Sequence, residues 1–292
     1  MTNIPILVNP AKSEIELAVQ ENLFDLFRAM ATTLPGAEIV EGSTLSYHHA
    51  FPSNPMFKGV WRARLAPDEV DDAISATLDW FEARDAPYLF WWTGPGTTPS
   101  DLGRQLQSRG FLDMSEQQQA LAPGIKQSEF GAPGMVADLL LMNEDALTTV
   151  PSGFIVEEVS SDAALDDFKR VFQESYEIPE WAAQAWVDAT QSAGIGNTPW
   201  RMYVGYLDGE PVATNMLFNG AGVASVYAVA TLPAARGKGI GGAITLKPLL
   251  QAREMGYRHA VLFSTEMGVR VYQRIGFRLT DVRINRYLWV RP

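Results

Sequence analysis

The spacing of hydrophobic residues in the second half of the chain predicts a regular succession of strands and helices. Apolar runs rich in β-branched residues mark strands, whereas apolar positions three and four residues apart mark helices. Strands are predicted at 154–159, 200–207, 211–218, 223–231, 259–263 and, as a closing pair, 279–290. Helices are predicted at 163–174, at 179–192, from 243 onward, and in a short segment ending at Gly276-Phe277. The predicted order is β-α-α-β-β-β-α-β-α-β-β.

The first half of the chain has a less regular pattern. Helices are predicted at 13–34, after Pro67-Asp68-Glu69, and at 101–109, and strands at 59–65, 88–92 and 135–142. Pro123-Gly124 predicts a loop, and residues 143–153 are typical of a linker. We therefore predict two domains, 1–149 and 150–292, with 135–142 as the last strand of the first.

Residues 102–111 resemble residues 268–277, and both segments end in Gly-Phe after an apolar strand and a polar loop. This similarity favours a faint internal repeat, although glycine stops are frequent and two short helices could share one by chance. The first copy has no counterpart of 236–242, and Leu106 stands where the second copy has Tyr272. We expect the first half to provide a scaffold and a substrate wall.

The stretch from Val223 to Gly242 carries the strongest chemical signal. An apolar strand ends before Pro233, and residues 236–242 then combine two cations with four glycines at the start of a helix. Such a turn exposes backbone amides at the positive end of the helix dipole, and the absence of Cβ atoms lets a phosphate approach them. The pattern predicts a site for a dianion such as a pyrophosphate.

Two ligand classes compete for this stretch. Gly237, Gly239 and Gly242 satisfy the dinucleotide pattern G-x-G-x-x-G, and Glu266 follows as a ribose-binding acid would. In a dinucleotide fold, however, the first glycine follows its strand almost directly, whereas here five residues intervene. A nucleoside triphosphate loop is excluded because no Gly-Lys-Ser/Thr follows a suitably spaced glycine.

The segment Arg236-Gly237-Lys238-Gly239-Ile240-Gly241 resembles the R/Q-x-x-G-x-G/A signature of GNAT-type N-acetyltransferases, with Pro233 three residues before the arginine. The resemblance implies an α/β fold of two tandem units, each a twisted mixed sheet flanked by helices, and acetyl-CoA as cosubstrate. It also implies that the pyrophosphate binds the amides of 236–242 and that the pantetheine arm pairs with the preceding strand. The implied cofactor-binding residues are Val229, Thr231, Arg236, Gly237, Lys238, Gly239, Ile240, Gly241, Gly242 and Ser264.

Catalysis of acetyl transfer needs a neutral amine, donors for the developing oxyanion and a proton for the departing thiolate. The resemblance places Tyr272 as the proton donor and a backbone N–H near Val229 as the oxyanion donor, although Tyr272 could instead be a buried packing residue. No single general base is indicated. The candidates are Glu174, Glu177, Glu180, Tyr227 and Glu266, with a water relay as a further alternative.

The composition of the chain limits the kinds of molecule that it is expected to bind. The net charge of −11 argues against a broad nucleic-acid surface and mildly favours cationic substrates. The chain has no cysteine, and its three histidines include two neighbours that a strand would turn to opposite faces, so we expect no metal site. No apolar run reaches 18 residues, which predicts a soluble cytoplasmic protein without a membrane partner.

The favoured hypothesis is an acetyl-CoA-dependent N-acetyltransferase acting on a primary amine of a small molecule, an amino acid or a peptide. Two alternatives fit the same stretch. One is an NAD-binding oxidoreductase, which the literal G-x-G-x-x-G pattern suggests. The other is a non-catalytic acyl-CoA-binding regulator, because no general base stands out.

Overall fold

The computed structural model describes residues 5–50, 57–114 and 133–291. The predicted loop at Pro123-Gly124 lies outside this part of the chain. The elements up to residue 138 are α1 (Lys12–Thr33), β1 (Glu38–Glu41), β2 (Ser46–His49), β3 (Lys58–Trp61), α2 (Val70–Glu82), β4 (Tyr88–Thr93), α3 (Leu102–Ser108), β5 (Leu112–Asp113) and β6 (Pro133–Asp138).

The remaining elements are β7 (Phe154–Glu158), α4 (Asp162–Tyr176), α5 (Glu180–Ala193), β8 (Trp200–Leu207), β9 (Glu210–Gly220), β10 (Val223–Thr231), α6 (Ile240–Glu254), β11 (His259–Phe263), α7 (Glu266–Arg274), β12 (Arg278–Arg283) and β13 (Asn285–Val290). They follow the order predicted from the hydrophobic pattern, and α6 begins three residues earlier than expected.

The two halves of the chain exchange one strand each. The first sheet has the order β1-β2-β3-β4-β13-β5, and the second has the order β12-β6-β11-β10-β9-β8-β7. The assignment of 135–142 to the first unit is therefore wrong, because β6 lies between β11 and β12 of the second sheet. The predicted closing pair likewise separates, since β13 pairs with β4 along its whole length. Local hydrophobic spacing shows that a strand is buried but carries no information about its partner.

The two sheets contain the same succession of elements, which supports the internal repeat. The series β3-α2-β4-α3-β5 corresponds to β10-α6-β11-α7-β12, and the first and third members of each series pair in parallel. In each series, a residue with positive φ lies five positions before a proline: Arg62 (φ 56°) before Pro67, and Ala228 (φ 49°) before Pro233. The fold is thus a mixed α/β fold of two tandem units.

Helix α1 lies between the two sheets and belongs to both cores. Its apolar residues, Val19 and Phe24 among them, pack with Trp61 of the first sheet and Val261 of the second. Its buried Asn22 also accepts a hydrogen bond from the Tyr227 hydroxyl at 2.7 Å. The units therefore share a hydrophobic core as well as strands.

Helix α6 contains a proline whose effect is offset by a neighbouring strand. Pro248 has no N–H, so the Ile244 carbonyl lacks its helical donor. The buried Asn215 of β9 donates its side-chain Nδ2 to that carbonyl at 3.0 Å. Asn215 thereby holds α6, the helix behind the glycine-rich turn, against the sheet.

We expect Asn215→Leu to lower the free energy of unfolding by about 1–3 kcal/mol, because the Ile244 carbonyl is left buried without a donor. In a Pro248→Ala background the helix supplies its own N–H, so the same substitution should cost much less. Denaturant unfolding of the four proteins in the double-mutant cycle measures this coupling. Additive losses would show that the contact does not replace the missing helical bond.

His48 is fully buried and packs within the protein interior. Burial, with smaller contributions from His49 and Lys58, lowers the pKa of His48 to about 3 from an ordinary value of 6.5. Its ring packs edge-on against Trp61 with the ring centroids 4.9 Å apart. No group of three or more potential metal ligands occurs within 5–50, 57–114 and 133–291.

The neutral His48 should make the protein acid-sensitive. The unfolded chain takes up a proton near pH 6.5 and the folded chain only near pH 3, so the free energy of unfolding falls as the pH drops through this window. Between pH 6.5 and pH 5 the loss from His48 should be about 2 kcal/mol. Denaturant unfolding of the wild-type protein and His48→Phe at pH 7.5 and 5.0 tests this. Equal pH dependence in the two proteins would contradict it.

Candidate active site

The central feature of the second sheet is a gap between two parallel strands. Strands β10 and β11 pair only at Ala224–Ala260 and Ser225–Val261, and beyond these positions they separate. The pairing of β10 with β9 also shifts between Tyr227 and Ala230. Val229 therefore has no partner residue in either ladder of the described sheet. A cleft of about 820 Å³ opens along this edge of β10.

The glycine-rich turn forms one end of the cleft. Gly237 and Gly239 adopt positive φ angles of 76° and 81°, and Gly239 caps the N-terminus of α6. No backbone carbonyl among the described residues accepts a hydrogen bond from the amides of 237–241. Since the first turn of a helix leaves its N–H groups without helical partners, these amides can bind an anion.

The space in front of these amides depends on the missing side chains. A Cβ on Gly239 would lie 3.1 Å from the Thr149 carbonyl oxygen, and one on Gly241 would lie 3.7 Å from both Thr231 Oγ1 and Val271 Cγ1. The cradle at the start of α6 thus has the donors and the room that a diphosphate requires.

Arg236 lies at the cleft but its guanidinium binds the protein backbone. Its Nε donates to the Thr231 carbonyl at 3.0 Å, and its Nη2 lies 3.5 Å from the Ser175 carbonyl. The side chain therefore joins the end of β10 to the end of α4. It adds positive charge beside the exposed amides without a fixed geometry toward a ligand.

The structure brings together most of the residues implied by the signature. The cleft is lined by Val229, Thr231, Arg236, Gly237, Gly239, Gly241, Gly242 and Tyr272. Three others do not line it. Lys238 is exposed outside it, Ile240 is fully buried in the core, and the buried Ser264 donates its hydroxyl to the Thr265 carbonyl at 2.8 Å.

Tyr272 projects from α7 toward the cleft and is almost fully buried. Its ring contacts Phe277 edge-on, with the centroids 5.9 Å apart. A Cβ on Gly268 would lie 2.9 Å from Cε2 of this ring and 2.9 Å from Ser264 Oγ. Gly268 therefore leaves the room in which the Tyr272 ring is seated.

If the cleft carries out the acetyl transfer that the sequence signature predicts, we expect Gly268→Ala to displace the Tyr272 ring and to lower the rate about tenfold or more, because small misplacements of a reacting group are costly. Arg270→Ala, an exposed change on the same helix outside the cleft, is the control. Thiol release from acetyl-CoA measures both variants. An unchanged rate in Gly268→Ala would show that the position of the Tyr272 ring does not limit the reaction.

The linker between the units forms part of the cleft wall, which sequence reasoning missed. Asn143, Asp145, Ala146 and Thr149 line the cleft. The Asn143 backbone and side chain donate to the carbonyls of Ile275 and Arg274, each at 3.2 Å. Polar linker residues carry no local signal for such a role, because their contacts are all made at long range.

The C-terminal end of α4 supplies three further lining residues, Ser175, Tyr176 and Glu177. The Tyr176 hydroxyl donates to the Val229 carbonyl at 2.9 Å. Glu177 adopts a positive φ of 52° as the C-cap of the helix. Lining residues in and before α7 that sequence reasoning also missed include Phe263, Met267, Val271 and Arg274, and Thr265 lines the cleft beside them.

The candidate bases occupy different places. Glu177 lines the cleft, whereas Glu174 and Glu180 lie in a shallow depression on the outer side of α4, where Glu180 pairs with Lys169 at 2.9 Å. Tyr227 is directed at Asn22 of α1. Glu266 begins α7, and its side chain lies outside what the structure describes.

The corresponding edge of the first sheet is filled by the protein's own chain. Ala63 and Leu65 follow the positive-φ residue Arg62 as Val229 and Thr231 follow Ala228. The Thr98 amide donates to the Ala63 carbonyl, and the Leu65 amide donates to the Thr98 carbonyl, both at 3.0 Å. A peptide segment therefore occupies the place that is an open cleft in the second sheet.

Comparison with known proteins agrees with this geometry. Residues 162–277 match the acetyltransferase (GNAT) family. They form a GNAT acetyltransferase domain. The family is one of acyltransferases whose acyl donor is acetyl-CoA. No curated protein matches the sequence significantly.

Solved structures extend the similarity beyond the GNAT domain. A GCN5-related N-acetyltransferase from Kribbella flavida is 18% identical, with a TM-score of 0.67 over 94% of this chain and 96% of its own. A tandem GNAT protein from the clavulanic acid biosynthesis pathway is 13% identical, with a TM-score of 0.59 over 99% of this chain and 98% of its own. Both support the overall fold, and the second supports the tandem arrangement of its two units. Among the described residues, no helix is sufficiently long and apolar to cross a bilayer.

Proposed function

We propose that the protein is an acetyl-CoA-dependent N-acetyltransferase that acts on a primary amine of a small molecule, an amino acid or a peptide. The observation that carries this proposal is the unpaired edge of β10 at Val229 and Thr231, which leads directly to the exposed amides of 237–241. An open strand edge suits an amide-containing arm, and the amides suit the diphosphate attached to it.

The first sheet offers a model for how the arm would bind. There, Thr98 uses its own N–H and C=O to pair with the Ala63 carbonyl and the Leu65 amide. The equivalent groups in the second sheet are the Val229 carbonyl and the Thr231 amide. A pantetheine amide could pair with these groups in the same way, as an added parallel strand.

Acetyl-CoA supplies an activated acetyl group, and the residues of the cleft orient it and move protons. The amine nitrogen bonds to the acetyl carbon, the carbon–sulfur bond breaks, the sulfur gains a proton and the nitrogen loses one. We assign to Tyr272 the donation of the proton to sulfur, because it lines the cleft and the basicities of a phenol and a thiol are similar. Glu177 lines the same cleft, which favours it over the other candidates as acceptor of the amine proton.

The stoichiometry should be one acetyl-CoA for each chain. Only the second sheet, of the two that the structure describes, has an open edge at this position, because Thr98 fills the other. The net charge of −11 favours a cationic acceptor at the encounter stage.

Calorimetric titration of the protein with acetyl-CoA and, separately, with NADH tests the proposal. We expect one equivalent of acetyl-CoA to bind and NADH not to bind. Thiol release across a panel of small amines, amino acids and peptides then tests catalysis. Tight binding of acetyl-CoA without thiol release for any amine would favour the regulator, and binding of NADH alone would favour the oxidoreductase.

A further inference from the structure

The peptide groups on either side of Val229 are each held by a side-chain hydroxyl. The Thr214 hydroxyl, from β9, donates to the Ala228 carbonyl at 2.8 Å. The Tyr176 hydroxyl, from the end of α4, donates to the Val229 carbonyl at 2.9 Å. Thr214 is fully buried, so its hydroxyl can contact only other groups of the protein.

These contacts determine where the Val229 N–H is directed. In a trans peptide the carbonyl and the N–H lie on opposite sides. Because the Ala228 carbonyl is turned toward Thr214 on β9, the Val229 N–H is turned away from β9, toward the side from which β11 has separated. Val229 also has no partner residue in β9. Its N–H therefore faces the cleft, which Val229 lines.

The backbone at this point needs external support. Ala228 has a φ of 49°, a conformation that is uncommon for a residue with a side chain and persists only where its surroundings hold it. A hydrogen bond accepted by the Ala228 carbonyl also polarises the N–H of the same peptide group, which belongs to Val229. Thr214 thus affects both the direction and the donor strength of this amide.

We infer that Thr214 and Tyr176 are positioning residues that aim the Val229 N–H at the thioester oxygen, where negative charge develops as the amine nitrogen bonds to the acetyl carbon. This inference rests on the proposed acetyl transfer. The two hydroxyls hold the adjoining peptide groups from β9 and from α4, so the amide is fixed before the cosubstrate binds.

The chain offers substitutions that isolate each hydroxyl. Thr214→Val keeps the shape and removes the donor, Thr214→Ser keeps the donor, and Tyr176→Phe removes the second one. Thr77→Val is a matched control that removes a buried hydroxyl in the other unit. The Thr77 hydroxyl donates to the Ala73 carbonyl at 2.7 Å within α2. Tyr206→Phe is the other control, because the Tyr206 hydroxyl donates to Asp167 at 3.1 Å.

Infrared difference spectroscopy of bound acetyl-CoA, labelled with carbon-13 at the thioester carbonyl, tests the inference without a known acceptor. We expect a higher carbonyl frequency in Thr214→Val and Tyr176→Phe than in the wild-type protein, and the wild-type frequency in Thr214→Ser and both controls. For thiol release, kcat should fall about tenfold to hundredfold in Thr214→Val, while KM for acetyl-CoA changes by less than about threefold.

The possible outcomes distinguish failure of the proposed function from failure of the positioning roles alone. If the wild-type protein does not bind acetyl-CoA, the proposed function and this inference both fail. If all variants bind it with the wild-type carbonyl frequency, only the positioning roles of Thr214 and Tyr176 fail. Should Thr214→Val not fold, Tyr176→Phe against Tyr206→Phe decides by the same measurement.

Discussion

Replacing Gly241 with leucine is expected to weaken acetyl-CoA binding by about hundredfold or more while leaving the protein folded. Gly241 lies in the first turn of α6, where a Cβ would make only ordinary contacts with Thr231 and Val271 at 3.7 Å. The helix can therefore accept a side chain, but the rest of the leucine would fill the space in front of the exposed amides.

The matched control is Lys247→Leu, which introduces the same side chain at an exposed position of the same helix. Calorimetric titration gives the affinities, and thermal unfolding gives the stabilities of both variants. We expect normal binding by Lys247→Leu and near-normal unfolding temperatures for both. An unchanged dissociation constant in Gly241→Leu would show that the diphosphate does not bind at the start of α6.

A fragment consisting of residues 150–292 alone is expected not to fold. It lacks β6, which pairs with five residues of β11 and is the neighbour of β12 in the second sheet. It also leaves β13 without β4, so that Tyr287, Leu288 and Trp289, all buried in the whole protein, would be exposed. Unpaired strand edges of this kind promote aggregation.

Co-expression of 1–149 with 150–292 is the informative control, because both exchanged strands are then present. We expect the two fragments to associate and to unfold in one cooperative thermal transition, whereas 150–292 alone should show none. Circular dichroism and thermal unfolding measure this. Cooperative folding and acetyl-CoA binding by the isolated fragment would show that the exchanged strands are dispensable.

The sequence predicts the elements well where a single local pattern is sufficient. The strand at 223–231, the break at Pro233 and the helix that follows appear as expected, because alternation, proline geometry and glycine-rich turns act over a few residues. The correspondence between 102–111 and 268–277 likewise matches the repeated succession of elements around the two parallel strand pairs.

Sequence reasoning fails where the outcome depends on which distant segments meet. Residues 133–138 read as a buried strand in either unit, and only the pairing with β11 and β12 assigns them to the second sheet. The linker residue Thr149 lies beside Gly239, and this contact likewise joins segments that are remote in sequence. The predicted cofactor-binding roles all stay predictions, and Lys238, Ile240 and Ser264 do not line the cleft.

The amino-acid sequence by itself determined the succession of strands and helices and the glycine-rich turn at the start of α6, from which an anion site is predicted. Only the tertiary structure decided that the two halves exchange β6 and β13 and that Thr98 fills the edge of the first sheet. It also decided that the hydroxyls of Thr214 and Tyr176 bind the carbonyls of Ala228 and Val229 beside the cleft of the second sheet. The first group depends on backbone geometry and side-chain spacing within one segment. The second depends on hydrogen bonds between segments that are remote in sequence, for which no local pattern exists.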